Sequence, residues 1–236
     1  VCIMFLPYFN PYLHIIIKKM KLVLFDLDDT LFDGDTEGEW VKFMDQNGFI
    51  TDNLFFERME VFTDSYKRGE LDVIEYSEFL LSPLKGKKLS ELKESIKIFS
   101  ADVVSRLTDD LTTKLLKRHA GDKKILTSGS LSFLVEDIAN HFGIEDSFGT
   151  DPEFAEDQFT GKIDGIPNFS EEKVRRVKIW MESRQFKNIY AYSDSIHDLP
   201  LLEFADISTV VNPDKKLRSE AEKRSWSIDD TRISYS

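Results

Sequence analysis

Apolar positions along this chain follow two alternating spacings. The runs Leu22-Val23-Leu24-Phe25, Lys124 to Thr127, Asn188 to Ser193 and Asp206 to Pro213 are short and rich in apolar or β-branched residues. Such runs are too short for buried helices and read as strands covered on both faces. Between the first two, Trp40, Phe43 and Met44 recur at helical spacing, and stripes continue through Leu54 to Tyr66, Val73 to Leu81 and Leu92 to Leu107. Gly48, Gly69 and Pro83-Leu84-Lys85-Gly86 break them, so the segment reads as a wholly helical insertion. It is far longer than the single crossover a parallel strand pair requires.

The later strands alternate with helices instead. A helix from about Asp109 to His119 precedes the second strand, and Leu131, Leu134, Val135, Ile138 and Phe142 mark the apolar face of the next. Ser170 starts another as its expected cap, with Val174, Val177 and Met181 inward. A basic helix follows Pro213, and Phe159 to Gly165 alternates as a short hairpin would. This order predicts an α/β fold, a Rossmann-like doubly wound parallel sheet. Gly34 permits a sharp turn and Thr36 could cap the first helix of the insertion, while the polar tail from Asp229 to Ser236 is expected to be loose.

Chemistry-bearing residues fall where these strands end. Asp26, Asp28 and Asp29 follow the first strand, and Asp194 and Asp198 follow Ser193. The carboxyl edge of an open α/β sheet is where ligands bind. Neighbouring carboxylates repel one another, and a divalent cation is the simplest way to keep them ionised. Magnesium, needing few carboxylates plus waters and phosphate oxygens, suits the set. Ser128-Gly129-Ser130 ends the second strand, where a hydroxyl, a small residue and the following helix start could take an anion, with Thr127 as rival to Ser128. Lys173, just before the buried face of its helix, could balance the carboxylates and touch phosphate, whereas Lys162 reads as a solvated charge. His197 is read as a loop histidine with no assigned role.

The 236 residues, 41% hydrophobic and 31% charged, suit a soluble globular protein. A net charge of -12 argues against a nucleic-acid surface, which needs a basic stripe. Cys2, the single cysteine, excludes an internal disulfide and a cysteine-based zinc site, and favours a cytoplasmic setting. Residues 1–19 differ in character, with two prolines and Ile15-Ile16-Ile17 ahead of a basic stretch. The preferred reading takes Met20 as the natural start and 1–19 as a non-native or disordered extension. A peripheral membrane anchor is the alternative, but the apolar run is too short to span a bilayer.

In sequence order, Asp26-Leu27-Asp28-Asp29-Thr30-Leu31, Ser128-Gly129-Ser130, Lys173 and Ser193-Asp194 through Asp198 resemble the four motifs of the haloacid dehalogenase-like phosphatases, in their phosphoserine-phosphatase-like branch. The resemblance runs from about Lys21 to the end. It implies a catalytic core of residues 20–33 and 108–236, with 34–107 as a helical cap that selects substrate. It also implies magnesium-dependent hydrolysis of a small phosphomonoester. Asp26 is then the nucleophile that carries an aspartyl-phosphate, and Asp28 the general acid and base. Ser128, Gly129 and Lys173 hold phosphate, and Asp26, the Asp28 carbonyl and Asp194 bind magnesium with Asp198 in support. The same chemistry could serve a phosphotransferase or phosphomutase. A non-catalytic phosphate-binding protein, or a receiver-like signalling protein with its acid cluster and lysine, is the reading from another class.

In phosphoserine phosphatases an acid just after the first motif binds the substrate amine, and a cap arginine binds its carboxylate. Asp35 matches the acid, but Glu78 and Leu80 stand where arginines are expected, leaving Arg58 or Arg68 to reach in from elsewhere. An acid in that place repels a carboxylate-bearing substrate, so an amino alcohol phosphate of the histidinol phosphate kind is expected over phosphoserine. Oligomeric state is not legible in the sequence.

Overall fold

The computed structural model describes residues 20–232. The expected extension over 1–19, Cys2 within it, and the last four residues of the tail lie outside the described residues. The first strand, β1 (Leu22–Phe25), is buried at every position. It leads into a tight turn over Leu27–Leu31. Four helices come next: α1 (Thr36–Gln46), α2 (Phe55–Arg68), α3 (Val73–Leu81) and α4 (Leu89–Leu107). Helix α5 (Asp110–Arg118) then enters β2 (Lys123–Leu131), followed by α6 (Ser132–His141) and β3 (Asp146–Thr150). After the hairpin β4 (Pro152–Ala155) and β5 (Gln158–Ile163) come α7 (Glu171–Met181), β6 (Ile189–Ser193) and α8 (Leu199–Phe204). The described chain closes with β7 (Ile207–Val211), α9 (Lys215–Arg224) and β8 (Ser227–Asp229).

The six-stranded sheet has the order β3-β2-β1-β6-β7-β8 and is parallel throughout. Strand β1 sits between β2 and β6, Phe25 opposite both Leu126 and Tyr192. The chain winds outward first to one side of β1 and then to the other. The carboxyl end of β1 is therefore the switch point at which a doubly wound sheet opens a crevice.

One apolar cluster runs without interruption from the sheet into the insertion, joining Phe25 and Leu126 to Trp40, Phe79 and Phe99. Trp40 stacks on Phe43 at 5.4 Å and meets Phe99 edge-on at 5.0 Å. Burying side chains of this size stabilises by about 1.5–3 kcal/mol each, so the insertion is welded to the sheet by its aromatic residues. The hairpin adds a second seam, because the Gly86 N–H donates to the Phe159 carbonyl at 2.8 Å and the Phe159 N–H to the Lys87 carbonyl at 2.9 Å.

Several local expectations are corrected. Asp35, not Thr36, caps α1, its two carboxylate oxygens accepting the Glu37 and Gly38 N–H groups at 3.1 Å each. A carboxylate with two free oxygens satisfies two orphan amides where a single hydroxyl would serve one. Ser170 occupies the cap position of α7 but makes no capping bond, because its backbone is left-handed with φ 51°. The hairpin turns at Glu156-Asp157, placing Phe159 to Ile163 in its second strand only. Strand β2 extends past Ser128, and its register against β3 shifts between Thr127 and Leu131. Ser128-Gly129-Ser130 therefore form an irregular bulge within the strand, and the next helix starts only at Ser132. The tail is held rather than loose as far as it is described, since Asp229 ends β8 and Arg232 is bonded to the turn after β1.

Candidate active site

The turn after β1 places its acids by unusual backbone geometry. The Asp26 N–H still continues the strand ladder to the Tyr192 carbonyl at 3.0 Å. The chain then reverses through Asp29, which adopts φ 52°, and the Phe32 N–H closes the turn on the Leu27 carbonyl at 2.9 Å. Gly34, at φ +148°, completes the reversal, and an added Cβ would lie 3.2 Å from the Leu107 side chain. The consequence is that Asp26 and Asp28, on either side of buried Leu27, project into one cavity.

Lys173, buried at the start of α7, bridges two carboxylates. Its Nζ donates to Asp26 Oδ1 at 2.7 Å and to Asp198 Oδ2 at 2.8 Å, and Asp198 also accepts the Ser193 hydroxyl at 2.8 Å. Burial alone would strip the lysine of its proton, but Asp198 and Asp26 hold its pKa above the ordinary value. Asp28 takes the Thr36 N–H at 2.7 Å on one oxygen and the Ser128 and Ser130 hydroxyls, each at 3.2 Å, on the other. Thr30 donates to Asp194 Oδ1 at 3.2 Å.

These carboxylates are crowded and desolvated. Burial pushes Asp26 up to about 7, Lys173 opposing it and the charges of Asp198 and Asp28 adding to it. Asp28 is pushed up to about 6, again chiefly by burial and then by Asp35. Asp194 reaches about 9, from burial and the nearby Asp26, Asp29 and Asp198. Among the described residues no group of three or more His, Cys, Asp or Glu side chains forms a metal cage. The donor set at hand is two carboxylates, Asp26 and Asp194, beside the main chain of Asp28. Lys173 takes one oxygen of Asp26 and Thr30 one of Asp194, so an all-oxygen set of low charge remains, which is what magnesium accepts together with water and phosphate.

The cavity measures about 360 Å³ and is walled by both the sheet edge and the insertion. It brings together every residue expected from the sequence: Asp26, Asp28, Ser128, Gly129, Lys173, Asp194 and Asp198, with Asp35 at its rim. Thr127 is fully buried and bonded to Asn168, which removes it as rival to Ser128, and Lys162 is exposed on the hairpin. Glu78 does not line the cavity, Leu80 is buried in the core, and neither Arg58 nor Arg68 reaches the wall. Arg58 instead lies over the Phe79 ring and Arg68 pairs with Glu70 at 2.8 Å.

Sequence reasoning missed several residues. Asn168 is fully buried and donates to Thr127 Oγ1 at 3.0 Å, the Ser128 carbonyl at 2.8 Å and the Phe148 carbonyl at 3.0 Å, pinning the bulge that carries Ser128. His197 lines the cavity between the rings of Phe169, 4.8 Å away, and Tyr66, 5.6 Å away. Glu37 also lines it and is hydrogen-bonded to Tyr76. One signal was available for Glu37: as the second residue of a helix capped by Asp35, it lies beside the acid turn.

A parallel sheet with paired acids at its switch point and a lysine bridging them is suited to phosphoryl transfer. Residues 23–203 match the family of haloacid dehalogenase-like hydrolases, and the chain belongs to that family, among its phosphatases. It is 31% identical over 216 residues to a histidinol-phosphatase of Neisseria meningitidis, covering 88% of this chain and 97% of that one. A solved structure of a Bordetella pertussis protein of unknown function superposes with a TM-score of 0.82 at 33% identity, over 90% of this chain and 99% of that one. A substrate-bound phosphoserine phosphatase shares the fold, with a TM-score of 0.62 at 18% identity over 91% and 95% of the two chains. No helix among the described residues is long and apolar enough to cross a membrane.

Proposed function

We propose that this chain is a magnesium-dependent phosphatase acting through an aspartyl-phosphate on a small amino alcohol phosphate, of the histidinol phosphate kind, in preference to phosphoserine. The observation that carries the choice of substrate is the make-up of the cavity wall. Among the described residues that line it, Lys173 is the one lysine or arginine and is committed to Asp26 and Asp198, and burial holds the His197 imidazole below its ordinary pKa, while the end facing the insertion carries Asp35 and Glu37. A carboxylate on the leaving group would find no cation there, and an ammonium would find two acids. The histidinol-phosphatase likeness points the same way.

The chemistry follows from the placement of the acids. Asp26, oriented by Lys173, attacks phosphorus while the bond to the leaving oxygen breaks, and Asp28 gives that oxygen its proton. Burial, and then the charge of Asp35, push the Asp28 carboxyl above the ordinary carboxylate range, which favours its proton-carrying form. Water then attacks the phosphoryl group on Asp26, and Asp28 takes up the proton released, freeing inorganic phosphate. Ser128 and the Gly129 N–H face the phosphoryl oxygens, and Lys173 offsets the charge that gathers on them. Magnesium, held by Asp26, Asp194 and the Asp28 carbonyl with Asp198 in support, would supply charge neutralisation to the phosphate.

The test is phosphate release from a panel of phosphomonoesters with magnesium and after chelation. The expected result is turnover that requires magnesium, with kcat/KM for L-histidinol phosphate at least tenfold above that for phosphoserine. A clear preference for phosphoserine would overturn the choice of substrate, and full activity after exhaustive chelation would overturn the role of the metal.

A further inference from the structure

Resting on that reading of the substrate, the geometry points to Glu37, with Tyr76 beside it, as the residue that holds the leaving group's ammonium and so sets specificity. The position next to Asp28 is decisive. The N–H of Thr36 is the donor on Asp28 Oδ1 at 2.7 Å, so Glu37 is the residue immediately after the main-chain group that anchors the general acid. Both side chains line one cavity and Asp28 is among the charges acting on Glu37, so an ammonium held by Glu37 would belong to a leaving group whose amine is near its ester carbon.

Asp35, the acid expected from the resemblance, is poorly suited to the task. Both of its carboxylate oxygens are engaged by the first amides of α1, and its side chain is exposed at the rim. Withdrawing it toward a ligand would uncap the helix. Glu37 is half-buried in the wall, and its carboxylate receives the Tyr76 hydroxyl from α3. A carboxylate has about four lone-pair sites, so that bond orients Glu37 and leaves it able to accept from an ammonium. Burial, and then the charges of Asp35 and Asp28, push the Glu37 carboxyl up to about 8, and a cationic leaving group beside it would favour the ionised form.

The rest of the wall fits the remainder of such a molecule. Phe62 and Tyr66 from α2 line the same cavity as Phe169 and His197, with Tyr66 packed against His197 at 5.6 Å. Flat aromatic faces take an imidazole or another planar ring by stacking, adding affinity without demanding one hydrogen-bond pattern. The leaving group thus meets an acid at its amine and rings at its far end.

The experiment compares L-histidinol phosphate with its deamino analogue, 3-(imidazol-4-yl)propyl phosphate, in the wild type, Glu37→Gln and Asp35→Asn, each shown to be folded by circular dichroism. The wild type should prefer the amine. Glu37→Gln should reduce the ratio of the two kcat/KM values by about tenfold to a hundredfold, the worth of one charge-assisted hydrogen bond, with most of the change in KM. Asp35→Asn, which keeps a helix-capping side chain, should lower the ratio less than Glu37→Gln does. An unchanged ratio in Glu37→Gln, or a ratio that collapses in Asp35→Asn instead, would overturn the assignment to Glu37 while leaving the proposed substrate standing. A wild type indifferent to the amine would overturn both.

Discussion

Arg232 and Asp109 form a forked ion pair that ties the end of the described chain to the turn carrying the nucleophile. The Arg232 Nε donates to Asp109 Oδ2 at 2.6 Å and Nη2 to Oδ1 at 3.1 Å. Its remaining donors reach the carbonyls of Asp29 and Thr30 at 3.0 Å, Phe32 at 2.8 Å and Leu31 at 3.2 Å. Asp109 in turn caps α5, and Thr112 donates its hydroxyl to Leu31. The carbonyls of a tight turn cannot all find partners within it, and a planar guanidinium supplies several at once.

Arg232→Ala should therefore cost about 1–3 kcal/mol of stability, more than an exposed ion pair, and should loosen the acid turn enough to lower kcat. The pair also has a pH signature. Burial alone would raise Asp109, but the bonds from Arg232 and Thr112 bring it down to about 2. A carboxylate with a lowered folded-state pKa adds stability that is present above its unfolded pKa near 4 and is lost as pH falls toward 2. Urea unfolding of wild type and variant should thus show a gap that narrows below pH 4. A gap independent of pH over that range would contradict it.

Asp26→Asn keeps size and strand context while removing the attacking oxygen's charge. Phosphate release should fall on the order of 10³-fold or more, with the far-ultraviolet circular dichroism unchanged. Substantial turnover by the folded variant would remove Asp26 from the chemistry.

What the sequence revealed and what it hid divide along a physical line. Strands β1 and β6 were legible because each is a continuous apolar run stopped by acids, and a parallel sheet buries both faces. The placement of Asp26, Asp28, Lys173 and Asp198 at strand and helix ends was legible, since the sheet carries those ends to one edge, while their roles came from the family resemblance. Arg232 could not be read this way, because its acceptor Asp29 is 203 residues away and nothing local marks a guanidinium as a clamp. Ser170 misled because capping propensity assumes an extended backbone, whereas this serine is left-handed. Glu78 misled because aligning a helix by spacing does not say which face meets the cavity.

Asn168 offers a test of how far the phosphate side of the site depends on its support. Its N–H donates to Thr150 Oγ1 at 3.1 Å, and Thr150 donates to the Gly129 carbonyl at 2.6 Å, so the two side chains hold Ser128 and Gly129 from behind. Asn168→Ala leaves buried carbonyls without donors, for about 1–3 kcal/mol. A displacement of Ser128 near 1 Å would reduce kcat/KM by about a hundredfold. Asn168→Asp should be worse still, because a buried carboxyl replaces the donating amide where the neighbouring oxygens need hydrogens. Steady-state kinetics and thermal melts of both variants would decide it, and wild-type kinetics in Asn168→Ala would show the bulge to be self-supporting.

His119 links the stability of the sheet to pH in the neutral range. It is buried, with Nδ1 2.8 Å from Asp122 Oδ2 and Nε2 2.8 Å from the Tyr192 hydroxyl, and Tyr192 stacks at 5.0 Å on Phe25, the residue before the nucleophile. A neutral ring satisfies both contacts if Nδ1–H donates to Asp122 and Nε2 accepts from Tyr192. Burial lowers its pKa, and the Asp122 charge only partly restores it. The unfolded chain then takes up this proton more readily than the folded one. The contribution of His119 is present above the unfolded value near 6.5 and is lost as pH falls through the folded value below it. In urea unfolding between pH 7.5 and 5.5, the advantage of the wild type over His119→Gln should shrink as acid is added, the other titrating groups cancelling in the difference. An advantage that stays constant, or grows toward pH 5.5, would mean that His119 is charged in the folded protein and that its bond to Asp122 is an ion pair.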